Sequence, residues 1–271
     1  MPEAVVVSDA PDRLDDNTKA FLEKYSWETY PSRHLKYLEI PAFDLETSLA
    51  TDEVIHLTEQ KVSDADCACL ARALKAMQPV NMKQIYLSNN EIGDAGCLAL
   101  CEAAKELPNF DLLYVARNRI GDVGISGLAQ HLANTNIWQL VLTENDFGDA
   151  GVTAIAESGS DPACWPALRW LFLDSSKVGD KGAEALAKAC VTGFRAVERL
   201  ALQDCKLTDR GLRAIAQAIG EGALPKCEYL YVQNNDFSIE GKQVLRTAAK
   251  ARGNLKVHFG WPPPLSGVQY H

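Results

Sequence analysis

The sequence predicts an α/β solenoid, a right-handed β-α superhelix of about seven full repeats with a parallel sheet on one side and helices on the other. Three observations predict it. A pair of apolar residues two apart recurs with a period of 27 to 31 residues. Each pair is followed by a turn rich in Gly and Asp, and each turn by an amphipathic helical run.

The clearest copy is residues 82–103, MKQIYLSNNEIGDAGCLALCEA. The first strand column across the copies is Ile55, Ile85, Leu113, Leu140, Leu171, Leu200 and Leu230. The second is Leu57, Leu87, Val115, Leu142, Leu173, Leu202 and Val232. Residues at i and i+2 share one strand face, so each copy turns a pair inward. A third column, Val62, Ile92, Ile120, Phe147, Val178, Leu207 and Phe237, carries the core around the bend.

Three residues past the second column stand Gln60, Asn90, Asn118, Asn145, Ser176, Cys205 and Asn235. A buried Asn amide there can bond the backbone groups of the bend, which have no ladder partner, whereas Gln, Ser and Cys do so only in part. Asp64, Asp94, Asp122, Asp149, Asp180 and Asp209 then open each helical run, where an acidic side chain suits the orphan amides and positive end of a helix start. In the helices, a Leu or Ile (Leu70, Leu100, Leu128, Ile155, Leu186, Ile215, Leu245) follows a small residue in nearly every copy. The small residue lets the helix approach the sheet. No copy can bury this surface alone, so the copies must stack.

On these columns, from about Asp52 to Ala249 with a final strand at Leu255 to Phe259, the chain resembles the leucine-rich repeats of ribonuclease-inhibitor type. The resemblance implies a curved horseshoe with the sheet on the concave side and helices on the convex side. It also implies protein binding rather than catalysis. Two narrower resemblances carry other functions. The repeat is also similar to that of the Ran GTPase-activating protein, a resemblance that would give Arg117 and Arg119 beside Asn118 as the residues to reach a nucleotide. It is similar too to the short repeat domain of the actin-capping tropomodulins, whose flanking actin-binding helices have no clear counterpart here.

The remaining chain divides into a flexible arm at 1–17, an N-terminal cap at 18–50, the repeat domain at 51–261 and a Pro-rich tail at 262–271. A terminal repeat exposes its stacking face, and the aromatic-rich stretch with Trp27, Tyr30 and Tyr37 suits its cover, or alternatively a binding patch. The last repeat departs from the rule, because Ile239 replaces the turn Asp and its helix carries Lys242, Arg246, Lys250 and Arg252. Trp165, between prolines in the longest connection, packs over a helix end or serves as a recognition point.

Net charge of −9 argues against nucleic acid or an anionic membrane as the principal partner, since both demand a basic footprint. Cys67, Cys69, Cys97, Cys101, Cys190 and Cys227 fall in columns that other copies fill with small apolar residues, so they read as buried hydrophobes in a reducing cytoplasmic or nuclear setting. Cys97 and Cys101 have the spacing of half a metal site without a second pair. His56 and His258 share a column but stand seven strand spacings apart, over ~30 Å, too far for a dyad. No metal, cofactor, small-molecule substrate or catalytic constellation is expected. An aspartate present once per copy is architecture.

What varies between copies is the other strand face, along the inner wall. Leu112, Tyr114, Trp170, Phe172, Tyr229 and Tyr231, with Tyr86, are expected to form a solvent-facing apolar stripe. A mainly acidic border runs beside it, from which Arg117, Glu144, Asp174 and Arg199 complete the candidate protein-binding set. An aromatic centre with a charged rim is interface anatomy, suited to a partner with apolar and basic surface. Cross-strand packing of the aromatics, or their cover by the tail, is the competing reading.

Overall fold

The structure, a computed structural model, describes residues 14–26 and 44–260. The expectations for the arm before residue 14, for the aromatic residues at 27–43 and for the tail at 262–271 lie outside the described residues.

Strand and helix alternate as the columns predict. The strands are β1 (Val54–His56), β2 (Gln84–Tyr86), β3 (Leu112–Tyr114), β4 (Gln139–Val141), β5 (Trp170–Phe172), β6 (Arg199–Ala201), β7 (Tyr229–Tyr231) and β8 (Lys256–His258). Helices α1 (Asp16–Lys24) and α2 (Leu45–Thr51) precede β1. Between successive strands lie α3 (Asp64–Met77), α4 (Asp94–Ala104), α5 (Asp122–Leu132), α6 (Asp149–Gly159), α7 (Asp180–Thr192), α8 (Asp209–Gly220) and α9 (Ile239–Arg252). The sheet is parallel throughout, in sequence order, and its register places Ile55, Ile85, Leu113, Leu140, Leu171, Leu200, Leu230 and Val257 side by side. These residues and the helix Leu and Ile column form one continuous core between sheet and helices. Each fully buried Leu or Ile contributes about 1.5–3 kcal/mol, and stacking makes that burial possible.

The Asn column ties consecutive copies together at the bend. Asn90 Oδ1 accepts from the N–H of Gln60 (3.0 Å) and Val62 (2.9 Å), while its Nδ2 donates to the carbonyls of Leu57 (2.8 Å) and Leu87 (2.9 Å). Asn118, Asn145 and Asn235 repeat the pattern on their own neighbours. Ser176 reaches only the Leu173 carbonyl (2.7 Å) as a backbone partner, and Cys205 makes long sulfur contacts to the Leu173 and Gln203 carbonyls. The short side chains fill the place and leave most of the bonding undone.

The Asp column works differently from the expectation. Asp94 stands at the start of α4, yet its Oδ1 accepts from the N–H groups of Gly121 (2.6 Å) and Gly124 (2.9 Å), which open α5. Asp64, Asp122 and Asp149 serve the next copy's helix in the same way, and Asp180 and Asp209 serve a Thr and a Ser opening. Each carboxylate therefore satisfies orphan amides one repeat ahead rather than its own. The approach is close enough to demand glycine: a Cβ on Gly124 would sit 2.7 Å from Asp94 Oδ1 and 2.7 Å from Ile120 Cγ2. No further repeat helix follows α9 among the described residues, and the corresponding residue there, Ile239, is 79% exposed.

At the corner after each of β1 to β7, a non-glycine residue takes the left-handed conformation: Glu59, Asn89, Arg117, Glu144, Ser175, Asp204 and Asn234, with φ between 50 and 60°, and Lys61 is a second one after β1. That geometry costs about 1–2 kcal/mol for an ordinary L residue, and the bonds of the adjoining Asn column offset it.

At the N-terminal end, α1 starts at Asp16, where Asp15 accepts from the Thr18 N–H (2.7 Å) and caps the helix. It lies against α3 through buried Phe21 and Leu22, with Arg72 bonding Thr18 Oγ1 (3.0 Å) and Lys24 pairing with Asp66 (2.9 Å). Trp165 packs as a helix-end residue, buried, its Nε1 donating to Ser158 (2.9 Å), and does not present a recognition surface.

Candidate functional site: the concave wall

Each three-residue strand presents its first and third residues to the inner wall, and the residue two further on continues that face into the corner. Over β5, β6 and β7 this gives three rows. Trp170, Arg199 and Tyr229 lie at the strand starts, Phe172, Ala201 and Tyr231 at the strand ends, and Asp174, Gln203 and Gln233 just before the corner residues.

The wall is less open than the sequence suggests. Leu112 (2%), Phe172 (2%) and Tyr231 (3%) were expected to face solvent and are buried. Phe172 and Tyr231 belong to a second apolar cluster with Ala116, Val141 and Ala201, against which Tyr114, Trp170 and Tyr229 pack. Strands about 4.8 Å apart bring these side chains into reach, so large rings settle over their short neighbours Ala201 and Val141. Tyr86, Tyr114, Trp170, Arg199 and Tyr229 remain half-exposed, and Arg117 and Glu144 are exposed. Ring stacking continues along the strand-end row: His56 on Tyr86 at 4.5 Å, Tyr86 on Tyr114 at 5.6 Å, Tyr231 on His258 at 4.9 Å.

The border is also less acidic than expected. Arg117 and Glu144 form an exposed ion pair across the strands (2.9 Å), and Asp204 accepts from Asn234 (2.9 Å). Asp174 stands one position before the corner column that holds Glu144 and Asp204, and it is buried in the wall at 2% exposure. Burial pushes its carboxyl up to about 7, although the Gln203 N–H (3.1 Å) and the Thr143 hydroxyl (3.3 Å) both donate to it and favour the charged form. Beside it Gln233 Nε2 donates to Gln203 Oε1, while Gln233 Oε1 is buried without a hydrogen-bond partner.

Sequence reasoning missed Trp138, which meets Trp170 edge-on at 5.2 Å, and the Asp174–Gln203–Gln233 row. Trp138 stands one residue ahead of its strand, outside the columns that define the inward face. The Gln pair becomes visible only when the corner residues are aligned as a column of their own.

Elsewhere, the Cys97 and Cys101 sulfurs lie 4.0 Å apart in the core, and Cys97 contacts the Gly124 carbonyl. The six cysteines read as buried hydrophobes are all buried. Among the described residues, no cluster of three or more His, Cys, Asp or Glu side chains could hold a metal ion. No helix among them is long and apolar enough to cross a membrane.

A parallel sheet of register-matched strands, each leading through an Asn-bonded corner into a helix, defines the class: a β-α repeat solenoid with a concave sheet. A family profile described as leucine-rich repeat matches residues 79–101, 111–129, 133–156 and 197–216. The chain carries leucine-rich repeats in those four stretches, within a solenoid whose strands continue the same register on either side. No curated protein matches it. Among solved structures it is similar to an internalin from Listeria monocytogenes, with TM-score 0.42 and 14% identity over 70% of this chain and 49% of that one. It is similar also to actin-binding site 2 of leiomodin-1 (TM-score 0.38, 15% identity, 53% of this chain and 84% of that one). A pollen receptor kinase 3 gives TM-score 0.34 and 18% identity over 76% of this chain and 72% of that one. The chain spans about half the length of the internalin it matches.

Proposed function

We propose that the protein is a non-catalytic interaction module that grips a protein partner on its concave wall, as an adaptor or as a structural subunit of a larger assembly. The observation that supports this is the set of half-exposed aromatics on the wall, Tyr86, Tyr114, Trp170 and Tyr229, bordered by charged residues on a rigid sheet. Large amphipathic side chains held in place by strand backbone lose little freedom on binding, which makes them effective anchors. Residues 18–50 are read as the N-terminal cap, of which α1 and α2 are the described parts.

Affinity capture from the native cell, followed by cross-link mapping, tests the reading. Tyr86→Ala and Trp170→Ala should each lower recovery of the partner several-fold while the chain keeps its fold by circular dichroism. Tyr231→Ala is the wrong probe, because its ring is core to the second cluster and its loss would cost stability. Cross-links confined to the convex helices would end this account.

A further inference from the structure

On the wall, Arg199 has no ion-pair partner among the described residues. Arg199 projects from the start of β6 and lies in a slot between two rings, its guanidinium carbon 4.2 Å from the Trp170 centroid and 5.3 Å from that of Tyr229. The guanidinium N–H donors make no hydrogen bond or ion pair with any described residue. The acids that could neutralise it are engaged elsewhere. Glu198 pairs with Arg169 (3.7 Å), Asp174 accepts from Gln203 and Thr143, and Asp204 accepts from Asn234. One strand further, Lys256 Nζ stands 4.9 Å from the Tyr229 ring centroid and 3.4 Å from its hydroxyl, a second positive charge in the same row.

Resting on the concave-wall reading, we propose that Arg199 is the seat for a carboxylate of the bound partner, supplied by an Asp or Glu side chain of an extended segment laid across β5 to β7. A guanidinium clamped between rings presents its donors as a fork in one fixed plane, the geometry that matches a carboxylate with two parallel hydrogen bonds. Its rotamer freedom is already restricted before the partner arrives, so little is lost on pairing.

The test uses the full chain and a panel of short extended peptides in three matched sets, identical except that one central residue is Asp or Glu, Asn or Gln, or phosphoserine. Binding is read for the wild type, Arg199→Lys, Arg199→Gln and Tyr86→Ala, with a melting curve for each. The wild type should favour the acidic set over the amide set by at least roughly tenfold, the scale of a charge-assisted hydrogen-bonded pair. Arg199→Gln should abolish the preference. Arg199→Lys should keep only part of it, because an ammonium preserves charge without the fork. Equal binding of acid and amide peptides, or a preference that survives Arg199→Gln, overturns the proposal. If both sets bind equally and Tyr86→Ala weakens both, the concave-wall reading stands and this inference alone fails. If no peptide binds, both fail. An Arg199-dependent preference for phosphoserine over Asp and Glu also overturns it, reassigning the seat to a phosphate.

Discussion

Replacing Asp174 with Asn should flatten the dependence of stability on pH. In the folded wall the carboxyl is raised from 3.8 to about 7 by burial, while in the unfolded chain it titrates near the ordinary value. A carboxyl raised by folding adds nothing unfavourable below the unfolded value, where both states are protonated, and weakens the fold progressively as pH rises through the folded value. At about 1.4 kcal/mol per tenfold, the penalty is near 1.5 kcal/mol at about pH 5 and approaches a ceiling of about 4 kcal/mol above about pH 8. Asn keeps an oxygen for the Gln203 N–H and removes the charge. Urea unfolding of both proteins at about pH 5, 6, 7 and 8 should therefore show the variant gaining on the wild type by about 2.5 kcal/mol across the range. A constant difference between the two proteins, or a wild type whose relative stability rises with pH, would refute the claim that Asp174 is held desolvated in the wall.

Five further substitutions address the scaffold by urea denaturation. Asn118→Ala removes bonds to Ile92, Leu87 and Val115 and should cost about 3 kcal/mol, whereas Ser176→Ala, with one backbone bond to lose, should cost about 1 kcal/mol. Conversely, Cys205→Asn restores the side chain used at Asn145 and Asn235 and should add about 1 kcal/mol; a loss of that size would show that the amide does not fit there. Gly124→Ala drives a methyl into Asp94 and Ile120 and should cost about 1–3 kcal/mol, while Gly220→Ala, with nothing within 4 Å, should be neutral or stabilising.

The architecture was legible because a solenoid repeats its constraints. A column such as Ile55 to Leu230 states the same burial demand seven times, and the observed register answers it residue for residue. The Asn corners were equally plain, down to the weaker substitutes Ser176 and Cys205. The destination of the Asp side chains was not, since position relative to its own helix says nothing about the amides of the next copy. Nor were the left-handed corners, because Glu59, Arg117 and Asp204 carry no glycine to announce them. On the wall, the column pattern identifies which residues point inward, but not which are covered. Phe172 and Tyr231 are buried because of what stands beside them, Val141 and Ala201, and that follows from pairing across strands rather than from either residue type.

The forward reach of the aspartates makes the copies interchangeable. Because Asp94 secures Gly121 and Gly124 through features that most copies share, excising or duplicating one whole unit of the chain would leave the preceding carboxylate facing an equivalent pair of amides. Cutting within a unit would instead strand a carboxylate and two donors at the junction. The molecule is thus free to lengthen or shorten in integral steps, and the breadth of wall offered to a partner can change without redesigning the parts that build it.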